Sequence, residues 1–135
     1  MKFEIINTNN QTKRSFRIVV GLQESYTRKI LRTHEEAKTA MIKCLELRRK
    51  ESKLYLPGFI TLTTAHYWNR VQGKTIEEPC FFFEGELSPE HHIRSSDENV
   101  IQALQEIAFF FAETFKQKRI YFWYRDIYQI LSFED

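Results

Sequence analysis

The chain has 135 residues, 15% of them aromatic, and a formal net charge of +2 from 20 basic and 18 acidic residues. This length predicts one compact domain over residues 1–135, and the balanced charge argues against a nucleic-acid partner. With no signal-peptide core, no apolar run near the ~20 residues that cross a bilayer and two widely spaced cysteines, the protein is expected to be soluble and cytoplasmic, without a membrane partner.

Two segments near the N-terminus carry apolar residues at alternate positions. They are residues 2–6 (KFEII) and 15–22 (SFRIVVGL), and the polar sequence NTNNQTK separates them. Alternation of this kind indicates strands with one buried face. The polar connection predicts that the two strands form a β-hairpin.

A helix is predicted from Thr33 to about Lys50. Thr33 and Glu36 have the spacing of a capping box, in which each side chain binds a backbone N–H of the other end. Apolar residues then follow at helical spacing, at positions 37, 40, 41, 44 and 45. These positions predict a helix with one apolar side.

The middle of the chain has the pattern of a second hairpin. The segment from Phe59 to Arg70 is rich in β-branched and aromatic residues, and the sequence VQGKT that follows is typical of a turn. Residues Glu78 to Leu87 then predict the partner strand.

The last third predicts a second helix and a final strand. Ser95 and Glu98 have capping-box spacing, and an apolar stripe follows at Val100, Ile101, Leu104, Ile107, Ala108, Phe111 and Phe115. The sequence KRIYFWYRDIYQIL predicts a strand with a short extension. The resulting order ββαββαβ predicts an α+β fold, an antiparallel-dominated sheet with two helices packed on one face.

Three consecutive phenylalanines in the predicted strand point to both faces of the sheet. Alternation directs Phe81 and Phe83 to one face, under the helices, and Phe82 to the other face beside Glu84 and Glu86. Phe82 is therefore either a stacking or interface residue, or it is covered by a loop or by the C-terminal segment.

The final strand also has aromatic residues on both faces. Two helices can cover only one face of the sheet, so the second face needs another cover. We expect a homo-oligomer, a dimer or larger, that buries ~800 Å² or more per partner, or a ligand pocket shared between subunits.

Motifs of known chemistry are absent from the sequence. The four histidines lack the spacing of a zinc site, so no metal and no other cofactor is expected. No catalytic Ser/His/Asp order, phosphate-binding loop or dinucleotide fingerprint is present. The carboxylates of Glu77, Glu78, Glu84 and Glu86 could serve acid–base chemistry in a cleft, although a solvated sheet surface is the more common explanation.

Arginines near aromatic residues mark two candidate ligand contacts. Tyr26, Thr27 and Arg28 could offer a ring, a hydroxyl and a guanidinium to a phosphate, and an ordinary strand-to-helix connection is the alternative. Arg119 and Arg125 flank the aromatic residues of the final strand. A surface ion pair between Arg125 and its neighbour in sequence is the alternative there.

Several segments in this order resemble the phage-borne Thoeris anti-defence sponge family. They are VGLQESYT with HEEAK, GFITLTTAHYW, EEPCFFFEGELSPE, ALQEIAFFF and QKRIYFWYRD, and the resemblance spans about residues 18–131. The chain departs from the family pattern in HHIRSS and in a longer, more basic segment before LPG. The resemblance implies an assembly that binds a cyclic ADP-ribose isomer between subunits without cleaving it.

The resemblance also implies roles for individual residues. By position, Tyr26, Thr27 and Arg28 would lie near the ligand. A base would stack on Phe82 or Phe83. The pyrophosphate would contact Arg119 or Arg125.

Sequence and resemblance together predict a non-enzymatic protein that sequesters a cyclic nucleotide-type immune signal and so blocks a bacterial defence effector. Two alternatives stay open. One is a small α+β enzyme, an isomerase or hydrolase, that uses a glutamate of residues 77–86, or His91 or His92, as general base at a subunit interface. The other is an adaptor that binds a protein through its exposed aromatic face.

Overall fold

A five-stranded antiparallel sheet with two helices makes up the fold in a computed structural model that describes residues 2–5, 13–24, 30–87 and 94–133. The elements in chain order are β1 (Ser15–Gly21), α1 (His34–Lys50), β2 (Phe59–Asn69), β3 (Lys74–Glu86), α2 (Asp97–Phe115), β4 (Arg119–Tyr124) and β5 (Ile127–Ser132). The predicted α+β class, an antiparallel sheet with two helices on one face, is confirmed.

The central strand of the sheet is β1, because the strand order is β2-β3-β1-β4-β5. Ile18 of β1 pairs with Phe83 on one side and with Phe122 on the other. All three side chains are fully buried. A fully buried apolar row therefore crosses the three central strands of the sheet, under the helices.

The predicted N-terminal hairpin is not formed, since residues 2–5 are not in a strand. The physical reason is that a strand has two edges, and both edges of β1 are taken, by β3 and by β4. At the other end of the chain, the predicted short extension is a full strand, β5, which pairs with β4 along its length. The observed order is therefore βαββαββ.

Both helices begin at capped N-termini. The predicted capping box of α1 is present, with Thr33 accepting from the backbone N–H of Glu36 and the Glu36 side chain accepting from that of Thr33. In α2 the N-cap is Ser96 rather than Ser95, and its hydroxyl accepts from the backbone N–H of Asn99. The predicted cap of α2 was therefore one residue too early.

The core lies between the helices and one sheet face and is built around phenylalanine rings. Phe81 of β3 meets Phe111 of α2 edge to face, with ring centroids 5.3 Å apart, and Phe83 packs against Phe16 at the same distance. Pairs of this geometry stabilise a core beyond the area they bury. These contacts hold α2 on this face, and neither helix of the described chain covers the opposite face.

Strands β2 and β3 extend beyond the rest of the sheet. Strand β1 pairs with β3 only from Cys80 to Glu86, so residues 64–79 continue as a two-stranded hairpin, here named the arm. The side chain of Trp68 in the arm is 63% exposed. Because an isolated hairpin is marginally stable in water, the arm has reason to pack against another surface.

Neither helix of the described chain has the length and apolar character needed to span a membrane.

Candidate functional site

The open face is the side of the sheet that faces away from the helices. Directly paired residues of antiparallel strands share a face, so the strand register gives its composition. One row, from β2 to β5, consists of Phe59, Glu84, Arg17, Trp123 and Tyr128, and the next consists of Thr61, Phe82, Val19, Tyr121 and Ile130. The open face is therefore rich in aromatic and apolar residues, with one ion pair near its middle.

That ion pair joins Arg17 to Glu84. The Nε of Arg17 donates to Oε2 of Glu84 at 2.8 Å, and the guanidinium lies over the ring of Phe82, 4.6 Å from its centroid. Phe82 is half-buried, and Arg17 covers part of its ring. The guanidinium makes both contacts, one through its Nε–H and one through its face, and together they fix the direction of the arginine side chain.

A groove of about 1120 Å³ runs along one end of the open face. Its walls include two exposed aromatic residues, Phe59 and Trp123, and its floor includes the Arg17–Glu84 pair. One wall depends on Gly58, since a Cβ at this position would lie 2.5 Å from the carbonyl oxygen of Glu84. The two chain segments can run this close only because Gly58 has no side chain.

The charges around the groove are balanced. Arg125 at its rim pairs with Asp97 at 3.2 Å, and Glu86 pairs with Lys13 at 3.5 Å. Arg17 and Glu84 form a third pair, so each arginine that lines the groove is paired with a carboxylate. A groove without surplus positive charge suits a neutral or zwitterionic ligand better than a phosphate ester.

A second polar cluster lies on the open-face side of the arm. The hydroxyl of Tyr67 donates to Oε1 of Glu78 at 2.7 Å. No cation of the described residues forms an ion pair with Glu78, so its negative charge is available to a ligand. Glu78 lies six residues from Glu84 along β3, which corresponds to about 20 Å in an extended strand. The cluster and the groove are thus separate parts of one face.

Three of the predicted ligand residues, Tyr26, Thr27 and Arg28, lie outside the described residues, and so do His91 and His92. Phe83 was predicted as one of two possible stacking residues. It is fully buried between β1 and α2, with its ring packed on Phe16 and Phe111, so it has no surface to offer a ligand. Its role in the core excludes the stacking role.

Arg119 and Arg125 lie at opposite ends of β4 and do not come together. Arg119 is exposed and pairs in the sheet with Ser132, away from the groove. Arg125 lies in the β4–β5 turn, in a left-handed conformation with φ of 55°, and lines the groove. Its carboxylate partner is Asp97 of α2 rather than the adjacent Asp126 that the sequence suggested.

The sequence did not single out Arg17, Tyr67 or Trp123 as site residues. Arg17 lies in an alternating strand and gives no motif. Tyr67 and Glu78 meet only once the register of the second hairpin is known. A stronger signal was the aromatic alternation of β4, which predicted an aromatic residue on the open face without identifying its neighbours.

The two cysteines are free and buried, and neither is suited to nucleophilic catalysis. Burial raises the pKa of the Cys44 thiol to about 11 and raises the pKa of Cys80 as well. A thiol with a raised pKa holds little reactive thiolate at neutral pH. Within the described residues, no group of three or more His, Cys, Asp or Glu side chains could hold a metal ion.

No protein-family model matches the chain, and no curated protein matches it. Solved structures do match in fold. A phage SAM lyase in complex with S-methyl-5'-thioadenosine has 19% sequence identity and a TM-score of 0.64, over 98% of this chain and 97% of that chain. A phage SAM lyase in the apo state has 18% identity and a TM-score of 0.65, over 97% of each chain.

These structures overturn the predicted function. The sequence and its resemblance predicted a non-enzymatic sponge for a cyclic ADP-ribose isomer. The two solved structures named above, which share this fold over nearly the whole of both chains, are of phage SAM lyase instead. The prediction of a sponge is therefore wrong, and the alternative of a small α+β enzyme agrees better with the fold.

Proposed function

We propose that the chain is an enzyme that degrades S-adenosylmethionine (SAM) and releases S-methyl-5'-thioadenosine (MTA). The observation that carries this proposal is the agreement of the fold with phage SAM lyases over almost the whole of both chains. Fold likeness is an analogy where activity is concerned. The open face adds independent support, because it offers aromatic surface, a balanced groove and an unneutralised carboxylate.

The chemistry of such a lyase can be written without water or cofactor. MTA keeps the sulfur, its methyl group and the adenosine, so the bond that breaks joins the sulfur to the γ-carbon of the methionyl group. The electron pair of this bond passes to the sulfonium, which becomes a neutral thioether. The carboxylate of the same substrate molecule can form the new bond to the γ-carbon, which closes a lactone and balances the reaction.

This route requires no nucleophile from the protein, because the substrate's own carboxylate attacks. It requires a group that binds the substrate's ammonium, so that the substrate carboxylate stays free to attack. Glu78 fits this role, because it is anionic and Tyr67, which donates a hydrogen bond to it, is neutral. The lack of a nucleophile motif in the sequence is consistent with an intramolecular reaction.

Apolar surroundings also favour this reaction. A positive sulfonium and a negative carboxylate become neutral as the lactone forms, so the transition state carries less separated charge than the bound substrate. Water stabilises the separated charges of the substrate more than it stabilises the transition state. An aromatic surface that excludes water removes part of this difference and so lowers the barrier. The open face is a surface of this kind once it is covered.

The expected homo-oligomer is part of the proposal. Glu78 and the groove are about 20 Å apart along β3, and a single SAM molecule in one chain would not reach both. A second copy that packs on the open face would cover its aromatic residues and bring the arm of one chain near the groove of another. A cytoplasmic location also belongs to the proposal, since two free buried thiols fit a reducing compartment.

The test is product analysis with a matched pair of variants. The purified protein is incubated with SAM, and MTA is quantified by chromatography. We expect MTA to form with the wild-type chain. Glu78→Gln should lower the rate by about a hundredfold, because a neutral amide loses the charge that binds the ammonium. Glu77→Gln is the control, since Glu77 is exposed and points to the other face of the arm.

Two results would count against the proposal. If SAM is recovered intact at every enzyme concentration, the chain is not a SAM lyase. If MTA forms at equal rates in the Glu78→Gln and Glu77→Gln variants, the activity stands but Glu78 does not serve it.

A further inference from the structure

We propose that the groove holds a purine nucleoside, with the base stacked on Trp123 and the ribose hydroxyls at Glu84. This assignment rests on the proposed SAM-degrading function and adds the surface that recognises the nucleoside half of the substrate. It follows from four features of the groove: a restrained aromatic ring, an available carboxylate oxygen, balanced charge and sufficient size.

Trp123 offers a stacking surface that is held in place. Its side chain is 41% exposed, and its ring packs on Tyr128 with centroids 4.9 Å apart. Tyr128 in turn stacks on Tyr121, with an angle of 5° between the rings. A ring supported in this way loses little conformational freedom when a base stacks on it, which favours binding.

Glu84 and Trp123 lie in the same row of the open face, two strands apart, and Arg17 of β1 lies between them. The Oε2 of Glu84 accepts from Arg17, while its Oε1 has no hydrogen-bond partner among the described residues. The side chain is 30% exposed. Carboxylates commonly accept hydrogen bonds from ribose hydroxyls, so the free oxygen suits the sugar of a nucleoside bound against Trp123.

Arg17 acts on this arrangement through Glu84 and is a positioning residue. Its contact with Phe82 and its bond to Glu84 hold the carboxylate in one orientation. Because its charge is already balanced by Glu84, Arg17 does not turn the groove into a phosphate site. The balanced rim, at Arg125 and Glu86, has the same effect and selects a nucleoside over a nucleotide.

The size of the groove agrees with this occupant. Small-molecule sites in proteins typically measure about 300–1,000 Å³, and the groove at about 1120 Å³ is slightly above this range. Phe59 stands on the far wall, three strands from Trp123 and about 14 Å away at the typical strand spacing. A nucleoside on Trp123 therefore leaves room in the groove for the group attached to its 5' position.

The test measures equilibrium binding of two probes, MTA and free adenine, by calorimetry on the full chain. Trp123→Ala should weaken binding of both probes by about tenfold or more, since both stack through the base. Glu84→Gln should weaken MTA by about fivefold and leave adenine unchanged, because adenine has no ribose. Trp68→Ala is the matched control, as the other tryptophan of the chain, exposed on the arm.

A fluorescence experiment supplies a second readout that does not depend on removing Trp123. In a Trp68→Phe variant, Trp123 is the remaining tryptophan, and MTA should change its emission in a saturable way. Wild-type protein that binds no MTA, or a Trp123→Ala variant that binds MTA as the wild type does, would overturn the assignment. MTA binding at Trp123 without SAM cleavage would sustain it and refute the proposed activity. If SAM is cleaved and the Trp123→Ala variant still binds MTA normally, the proposed activity stands and the assignment of the groove is refuted.

Discussion

Tyr67 of β2 and Glu78 of β3 share a hydrogen bond of 2.7 Å on the open-face side of the arm. Glu78 pairs in the sheet with Ala65, so the bond to Tyr67 runs diagonally across the register. A diagonal bond of this kind fixes both side chains against the strand surface. It gives the carboxylate a defined direction in the arm, where β2 and β3 extend beyond β1.

The first prediction is that Tyr67→Phe lowers the rate of MTA formation by about tenfold without unfolding the chain. The phenyl ring keeps the packing, but the hydrogen bond that orients Glu78 is lost, and misplaced groups reduce catalysis strongly. The measurement is MTA release under saturating and limiting SAM, with thermal unfolding as the check on folding. An unchanged rate would show that Glu78 needs no orientation by Tyr67.

The second prediction concerns acid stability and Asp97. This carboxylate at the start of α2 accepts hydrogen bonds from the buried Tyr124 hydroxyl, at 2.5 Å, and from Arg14 and Arg125. The Tyr124 hydrogen bond, followed by the charges of the two arginines, lowers the pKa of Asp97 from its ordinary value of 3.8. A lowered pKa means that the ionised carboxylate stabilises the fold above about pH 4, and that this stability is lost as the pH falls through the folded-state pKa.

Asp97→Asn should therefore destabilise the fold at neutral pH by about 1 kcal/mol, because the buried Tyr124 hydroxyl loses its charged acceptor while solvent screens a carboxylate that is 44% exposed. The difference between the two proteins should shrink as the pH is lowered from 6 towards 3. Urea unfolding at several pH values measures both effects. A difference that is constant over this range would mean that the charge of Asp97 does not contribute.

The fold class could be predicted from the sequence because its signals are local. Alternation in β2, β3 and β4 and the seven-member stripe of α2 each lie within one element, and the helices bury the expected sides. The strand partners could not be predicted in the same way. Residues 2–6 alternate like a strand, but pairing in a sheet is decided over long distances, and β3 and β4 compete for the edges of β1.

The site was less accessible to sequence reasoning than the fold. Its parts come from β1, β2, β3 and β4, and they meet only through the register of the assembled sheet. The pair of Tyr67 and Glu78 depends on the turn between Asn69 and Lys74, where a shift by one residue would direct every side chain of a strand to the other face. The ion pair of Arg17 and Glu84 depends equally on the register of β1 with β3.

The third prediction separates core from surface among the phenylalanines. Phe83→Ala should lower the free energy of unfolding by about 3–5 kcal/mol, because it opens a cavity under the helices. Phe3→Ala, at a residue that is 84% exposed and lies outside every helix and strand, should change it by less than about 0.5 kcal/mol. Chemical denaturation of both variants gives the comparison. A mild effect at Phe83 would mean that its ring is not part of the core.

The last prediction addresses the assembly that the open face implies. Its aromatic residues Phe59, Trp123 and Tyr128 are exposed, and the arm projects beyond β1. Sedimentation should therefore show a homo-oligomer at micromolar concentration, and monomer alone would contradict this. If the arm of one copy serves the groove of another, mixing Glu78→Gln protein with Trp123→Ala protein and allowing subunits to exchange should restore activity. Each mixed assembly can then contain one site with an intact Glu78 and an intact Trp123. Activity that stays at the level of the separate variants would mean that Glu78 and Trp123 of one site come from the same chain, or that they do not share a site. In either case, subunit exchange could not produce a site with both residues intact.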